Sequence, residues 1–360
     1  MYNQDERAGG AVEASESKVM RRWQFWVGVL ISAVLLWWAL SKLNLADAWS
    51  AVKTADYWWL IPGIAIFFVD VWVRAWRWHY LLRPLKSIPT RTMFPIVCIG
   101  YMGNNIYPAR AGELLRAYVL RRKEGVPVSA SLATVIVERI FDGVVMLMFV
   151  IFNLNGLAAL HGSSGLIGDI RTVTLVGTVA FAAALGVFLV AAMFPCQSLG
   201  VYQRLGAPLV PARWRAQVSG LVERFWTGLE SLRSPRNVIM VFLTSIVIWL
   251  LETGKYWFVM HAFHFTVSFF ALMLMNGIVN LATTIPSAPG YVGTFDTPGI
   301  AVLRAYGVEQ AVATSYTLVL HVALWLPITL VGAYYMAREG LSWDKVQQEI
   351  GGERPQERPA

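Results

Sequence analysis

Glu138, Arg139 and Asp142 lie within five residues of one another inside an otherwise apolar run, 128 to 154. If the run is a helix, Glu138 and Asp142 share a face at i,i+4, and Arg139 is the i,i+3 neighbour of Asp142. A second group, Arg110, Glu113 and Arg116, follows at three-residue spacing beside a proline–glycine break, PARAG at 108 to 112. These residues share one helical face if a helix starts near Ala111. The first group nets one negative charge and the second one positive. A charge within a bilayer costs a few kcal/mol or more, so it persists only with a partner or a task. Two roles fit: the groups neutralise each other as a structural ion-pair network, or they bracket a lipid headgroup that carries a phosphate and an amine.

Other positions are weaker candidates. Asn105, before the first break, offers an amide to a headgroup, and capping of unwound backbone explains it as well. A second break, PSAPGYVGTFD from 286, lacks basic residues. Its Gly290 and Gly293 allow close backbone approach, and helix-start amides bind anions without side-chain charge. Glu252 with Lys255, and Asp70 with Arg74, form i,i+3 and i,i+4 pairs that satisfy themselves. On this basis Arg139→Ala is expected to do more harm than Lys255→Ala. His261 and His264 have HxxH spacing, but without a carboxylate or cysteine nearby an interfacial position explains them better than a metal. No Walker, GxGxxG, HExxH or GxSxG pattern occurs. The reading therefore expects no catalytic residue, cofactor, metal or bound ATP.

The elements that must position these charges are long and apolar. The 360 residues are 56% hydrophobic and only 14% charged, with a mean hydropathy of +0.52, whereas a soluble domain is roughly 25% charged. That composition excludes a soluble enzyme and predicts an all-α polytopic membrane protein. The net charge of +8 comes from residues beside apolar spans, where they set orientation and attract anionic lipid rather than nucleic acid. Six stretches are long enough to cross: about 23 to 41, 57 to 76, 128 to 154, 172 to 195, 237 to 258 and 311 to 337. Two more, Met93 to Tyr107 and Ser268 to Ile285, run into the two breaks and read as broken or re-entrant helices. The two cysteines, Cys98 and Cys196, read as packing residues.

Loop charge sets the sidedness. Arg74 to Arg91 carries five basic residues and no acid, and Arg110 to Lys123 adds five more, so both stretches are expected in the cytoplasm. The links at 155 to 170, 261 to 266 and 287 to 310 are poor in basic residues and are expected outside. Both termini then fall in the cytoplasm, with tails at 1–22 and 342–360 around a membrane domain at 23–341. An insertion at 196–236 has helical amphipathic spacing and is expected either on the cytoplasmic leaflet or packed on loops. The order of apolar segment, break, Leu-Arg-Ala-Tyr and alanine-rich span occurs twice. Opposite sides of approach for the two copies fit an inverted repeat; two unrelated breaks fit about as well.

Three blocks, NNIYPARAGELLRAYVL, SLATVIVERIFDGV and IPSAPGYVGTFD, resemble those of the flippase-like membrane region of lysylphosphatidylglycerol synthetases and of stand-alone bacterial and archaeal proteins. The resemblance runs from about 23 to 337 and places Arg110, Gly112, Glu113, Arg116, Glu138, Arg139 and Asp142 in the family's polar blocks. In the synthetases this region is similar to a lipid translocator, and a separate soluble domain attaches the amino acid. That domain has no counterpart in these residues, so the resemblance implies translocation more than aminoacyl transfer. Related stand-alone proteins are linked to hopanoid or polyprenyl-linked sugar pathways. The expectation is a flippase-like lipid transporter of the bacterial inner membrane. The alternatives are a membrane-bound transferase or a subunit that accompanies a lipid-biosynthesis enzyme.

Overall fold

The computed structural model describes residues 45–107, 111–158, 194–206, 234–284 and 288–341, with isolated helical positions elsewhere. The tails, the stretch 23 to 41, most of 172 to 195, most of the amphipathic insertion, and Arg110 lie outside the described residues. Among the described residues every regular element is helical.

Local chemistry sets the boundaries. After α1 (Leu45–Lys53) a 3₁₀ turn at Tyr57–Trp59 leads into α2 (Leu60–Leu82). The Asp56 carboxylate caps this turn by accepting from the Trp58 amide. α3 (Thr90–Ile106) stops at Tyr107, which is extended at φ −102° and ψ 146°, the conformation that a following proline imposes. α4 (Ala111–Glu124) starts where PARAG suggested and ends at Gly125, in the left-handed region at φ +71°. α5 (Val128–Ala158) follows, then α6 (Pro195–Val201) and α7 (Pro235–Met260), which has proline in its first turn. The Ser268 hydroxyl caps α8 (Phe269–Ala282). A 3₁₀ turn at Pro289–Tyr291 leads to α9 (Asp296–Ala305) and α10 (Gln310–Arg338).

Two expectations need correction. The second span does not stop at 76; it continues to Leu82. Arg74 and Arg77 are therefore buried within a helix and do not count as cytoplasmic loop charge. The stretch 287 to 310 is not simply a loop either, because α9 occupies its middle with Ile300, Val302 and Leu303 buried.

The elements form two matching series: long helix, short helix, break, short helix, long helix. The first is α2, α3, α4, α5 and the second α7, α8, α9, α10. Packing repeats with them. α2 lies along α7. α3 packs on α10 as α8 packs on α5, α3 on α4 as α8 on α9, and α4 on α5 as α9 on α10.

α2 with its preceding turn, α7 and α10 are each long and apolar enough to cross a membrane. α8, at 14 residues, extends only about 21 Å, short of the roughly 30 Å hydrocarbon layer. Leu318, Val322, Leu326 and Leu330 form an exposed apolar stripe at four-residue spacing on α10, and Ile239, Leu243, Val247 and Leu250 form one on α7. Inside, Thr244, Ser245, Thr253 and Ser315 are buried, each hydroxyl bonded to a carbonyl one turn back in its helix. An apolar exterior, with buried hydroxyls satisfied within their own helices, is the pattern a lipid solvent demands.

Candidate functional site

Three helices meet through polar stripes at i, i+4 and i+7 spacing: Asp70, Arg74 and Arg77 on α2, Ser245, Trp249 and Glu252 on α7, and the shorter Glu138 and Asp142 pair on α5. Arg77, 1% exposed, grips Asp142 with both terminal nitrogens at 2.5 and 3.2 Å and also donates to the Ser245 hydroxyl at 2.8 Å. Trp249 Nε1 donates to the same carboxylate at 3.2 Å. Bidentate pairing with further hydrogen bonds is what makes a buried ion pair tolerable. Arg74 donates to Asp70 at 2.9 Å within α2 and to Glu252 at 2.7 Å across to α7. Lys255 meets the other oxygen of Glu252 at 2.5 Å and lies over the Phe67 ring.

From the first break, α4 adds Arg116, which donates to Glu138 at 2.6 Å and stacks its guanidinium over Trp78. Glu113 lies 3.3 Å from Arg139 Nε, in a geometry that aligns no hydrogen bond. Gly112 lets α4 approach α3 this closely, since a Cβ there would strike the Gly100 carbonyl and the Asn104 backbone.

The second break closes the opposite wall. Gly290 and Gly293 adopt φ +74° and +81°, and Tyr291 between them is also left-handed at +61°. The Gly293 amide donates to Asp296 Oδ2 at 2.9 Å. His321 on α10 faces Asp296 Oδ1 with Nδ1 at 2.8 Å and the Gly290 carbonyl with Nε2 at 2.7 Å. One turn further on, Trp325 Nε1 donates to the Asn105 carbonyl at 3.4 Å, and the Asn105 amide donates to Thr329 Oγ1 at 2.8 Å. α10 thus holds both breaks.

Between them is a cavity of about 160 Å³. Of the residues singled out from sequence, Asn105, Gly112, Glu113, Arg116, Arg139 and Gly290 line it. Glu138 and Asp142 stand behind the lining as counter-ions, and Gly293 braces Asp296. Arg110 lies outside the described residues. Arg74, Glu252 and Lys255, weaker candidates from sequence, and His321, which sequence reasoning missed, all face the cavity. The Asp70–Arg74 and Glu252–Lys255 pairs both form, and the Arg74 to Glu252 bond joins them into one network that the sequence reading treated as two separate pairs. A periodicity signal was available in the i, i+4, i+7 run of Asp70, Arg74 and Arg77. His321 carried no local signal, being a lone histidine in an apolar helix. His261 packs between Trp59 and Trp257.

Charge is sorted by depth. Arg74, Arg116, Arg139 and Lys255 face the cavity with Glu113 and Glu252, whereas Asp70, Glu138 and Asp142 lie behind with Arg77, each at most 1% exposed. The wall is cationic although the whole cluster balances five cations against five carboxylates. In two of the cavity-lining residues, Arg116 and Arg139, the guanidinium Nε is buried without an aligned acceptor. Such donors suit a ligand oxyanion.

The helices, their apolar exterior and this charged cavity define a multi-pass all-α membrane protein. The chain belongs to the family described as the lysylphosphatidylglycerol synthase TM region, whose model matches residues 25–332. Among curated relatives, "Glycosyltransferase AglD" of Haloferax volcanii is 27% identical over 88% of this chain, and the match spans 54% of that protein. A UPF0104 membrane protein of Methanothermobacter thermautotrophicus is 25% identical, with 89% of this chain and 94% of the relative covered. Another UPF0104 membrane protein, from Pyrococcus horikoshii, is 22% identical over 85% of this chain and 93% of its own length.

Proposed function

We propose that the protein moves an anionic or zwitterionic phospholipid, or a polyprenyl-phosphate-linked lipid, between the leaflets of the bacterial inner membrane without altering it. The observation that carries this reading is the sorting of charge: four cations and two carboxylates line the cavity, while Asp70, Glu138 and Asp142 sit behind, so the wall is net cationic and suits a phosphate. The carboxylates keep the net charge low, so a headgroup is held without being trapped. The second break, at the cavity wall, gives backbone that can re-form as the site is exposed to each leaflet. Both termini lie in the cytoplasm in this scheme.

The similarity to a protein named as a glycosyltransferase favours a second reading, a role beside or within a lipid-linked glycan pathway. In that case a polyprenyl-phosphate lipid is the substrate. The test is purified protein in liposomes with headgroup-labelled phospholipid or polyprenyl phosphate. Wild type is expected to expose the label to an external quencher faster than empty vesicles do, and Arg139→Gln to lose most of that gain. Equal rates for wild type, variant and empty vesicles across both lipid classes would remove the transport reading. Recovery of a covalently altered lipid would put transferase chemistry first.

A further inference from the structure

We propose that Asp296 and His321 form a proton-binding site that latches the second break onto α10. The acceptors fix the number of protons the pair holds. The Gly290 carbonyl can only accept, so the contact with Nε2 at 2.7 Å requires a proton on that nitrogen. Nδ1 and Asp296 Oδ1, 2.8 Å apart, also need a proton between them, since a bare imidazole lone pair would face a carboxylate. The two contacts together therefore hold one proton more than neutral histidine with ionised aspartate supplies, and the loaded pair is neutral. Loss of that proton leaves the pair with one negative charge and a single N–H for two oxygens. The charge-assisted bond to Asp296 is the stronger, so the bond to Gly290 is the one given up.

What is given up matters because of where Gly290 sits. It is left-handed, belongs to the 3₁₀ turn that packs on α3, and its missing side chain makes room for Trp325. Asp296 braces the same break a second time through the Gly293 amide. Releasing His321 from Gly290 frees one end of a strained turn at the cavity wall. The ring itself lines the cavity and its side chain is 14% exposed, so a proton can arrive from there.

The surrounding charges do not duplicate the pair. α9 supplies Asp296, the one described carboxylate within 4.0 Å of the ring. From the other elements packed on α10 that reach the cavity, Arg74 on α2, Tyr101 on α3, and Glu252, Lys255 and Tyr256 on α7 line it, as does Tyr291 of the break. Arg74, Glu252 and Lys255 are bonded to one another. Asp47 and Lys53 of α1 and Arg304 of α9 are exposed on the outside. The matching series offers a control within the molecule: Arg116 and Glu138 join α4 to α5 as Asp296 and His321 join α9 to α10. Arginine does not deprotonate in proteins, whereas imidazole is the side chain whose ordinary charge change lies near neutrality, so of the two joints the second is the one built to respond to protons. On the lipid-transport reading above, this makes the proton the coupling ion.

Two measurements decide the matter separately. Hydrogen exchange of the peptide over residues 288–295, corrected for intrinsic rate, is expected to rise about tenfold in wild type between pH 5.5 and 8.5, the effect of losing the hydrogen bond to the Gly290 carbonyl. Asp296→Asn, whose amide donates to Nδ1 as a protonated carboxyl would, is expected to stay slow at both pH values. His321→Gln is expected to show no pH dependence, and if it fails to fold the asparagine variant carries the test. Flat exchange in wild type, or an unchanged pH response in Asp296→Asn, overturns the site. In proteoliposomes an imposed pH gradient is then expected to accelerate lipid exposure in wild type and not in Asp296→Asn. Gradient-independent lipid movement overturns the coupling while leaving transport standing. No lipid movement in any sample removes the transport reading, and the exchange result still decides the latch.

Discussion

The two breaks occupy corresponding places in the fold and are held by opposite chemistry. After the first, α4 is fastened to α5 by Arg116 and Glu138 at 2.6 Å, inside a dense network of fixed charges. After the second, α9 is fastened to α10 by Asp296 and His321 at 2.8 Å, with backbone amide and carbonyl groups as the remaining partners. Even the shared Leu-Arg-Ala-Tyr element diverges, since Arg116 is 7% exposed whereas Arg304 faces outward. The lesson is that a duplicated backbone plan does not duplicate a site. One copy supplies the permanent charge that attracts a ligand, and the other supplies a joint that can change state.

The sharpest way to break this contrast is to remove a fixed charge. Glu138→Ala leaves Arg116 buried without its carboxylate and is expected to cost about 3–5 kcal/mol at every pH, read as a large fall in Tm in detergent. A fall no larger than that of Asp296→Asn would mean that the first joint is not the more rigid. Next come the close approaches. Gly112→Ala drives a methyl into the Gly100 carbonyl and is expected to cost about 1–3 kcal/mol. Gly277→Ala on α8 meets a Val150 methyl at 3.0 Å and the Met146 carbonyl at 3.4 Å and is expected to cost less, so the ratio of the two Tm shifts measures how unequal the halves are. Lys255→Ala should then exceed Arg139→Ala in loss of stability, reversing the order expected from sequence. Lys255 is 2% exposed and bonded at 2.5 Å, whereas the Arg139 side chain is 39% exposed with contacts of 3.3 and 3.9 Å. The opposite order would place Arg139 at the structural centre. The smallest effect is expected for Arg304→Ala, with no measurable change in Tm, against a clear one for Arg116→Ala.

Much of the first half was legible because a charge in an apolar run is rare enough to stand out. Glu138, Arg139 and Asp142 were found that way, while PARAG placed the start of α4 at Ala111 and, with it, Glu113 and Arg116 on one helical face. Arg77 fell outside the expected second span, and Arg74 at its end was counted with the cytoplasmic charge, because hydropathy falls where they begin. Their partners, Glu252, Asp142 and Ser245, are between 65 and 178 residues away in the chain, and no local pattern reports such pairing. The second half was harder for the same reason. Asp296 and His321 are 25 residues apart, each alone in its own segment, and α9 was hidden by the glycines around it.

The glycine contacts of α3 set a mechanical condition. Gly103 lies against the backbone of Gly112 on α4, and Gly332 of α10 lies against the Cys98 carbonyl of α3. On two sides, then, α3 touches its neighbours with bare main chain, and there is no side-chain cushion to absorb a relative slide. Whatever opens the cavity must carry α3, α4 and α10 together as one stiff block. That block takes helices from both halves, so the parts that move are not the parts that were duplicated.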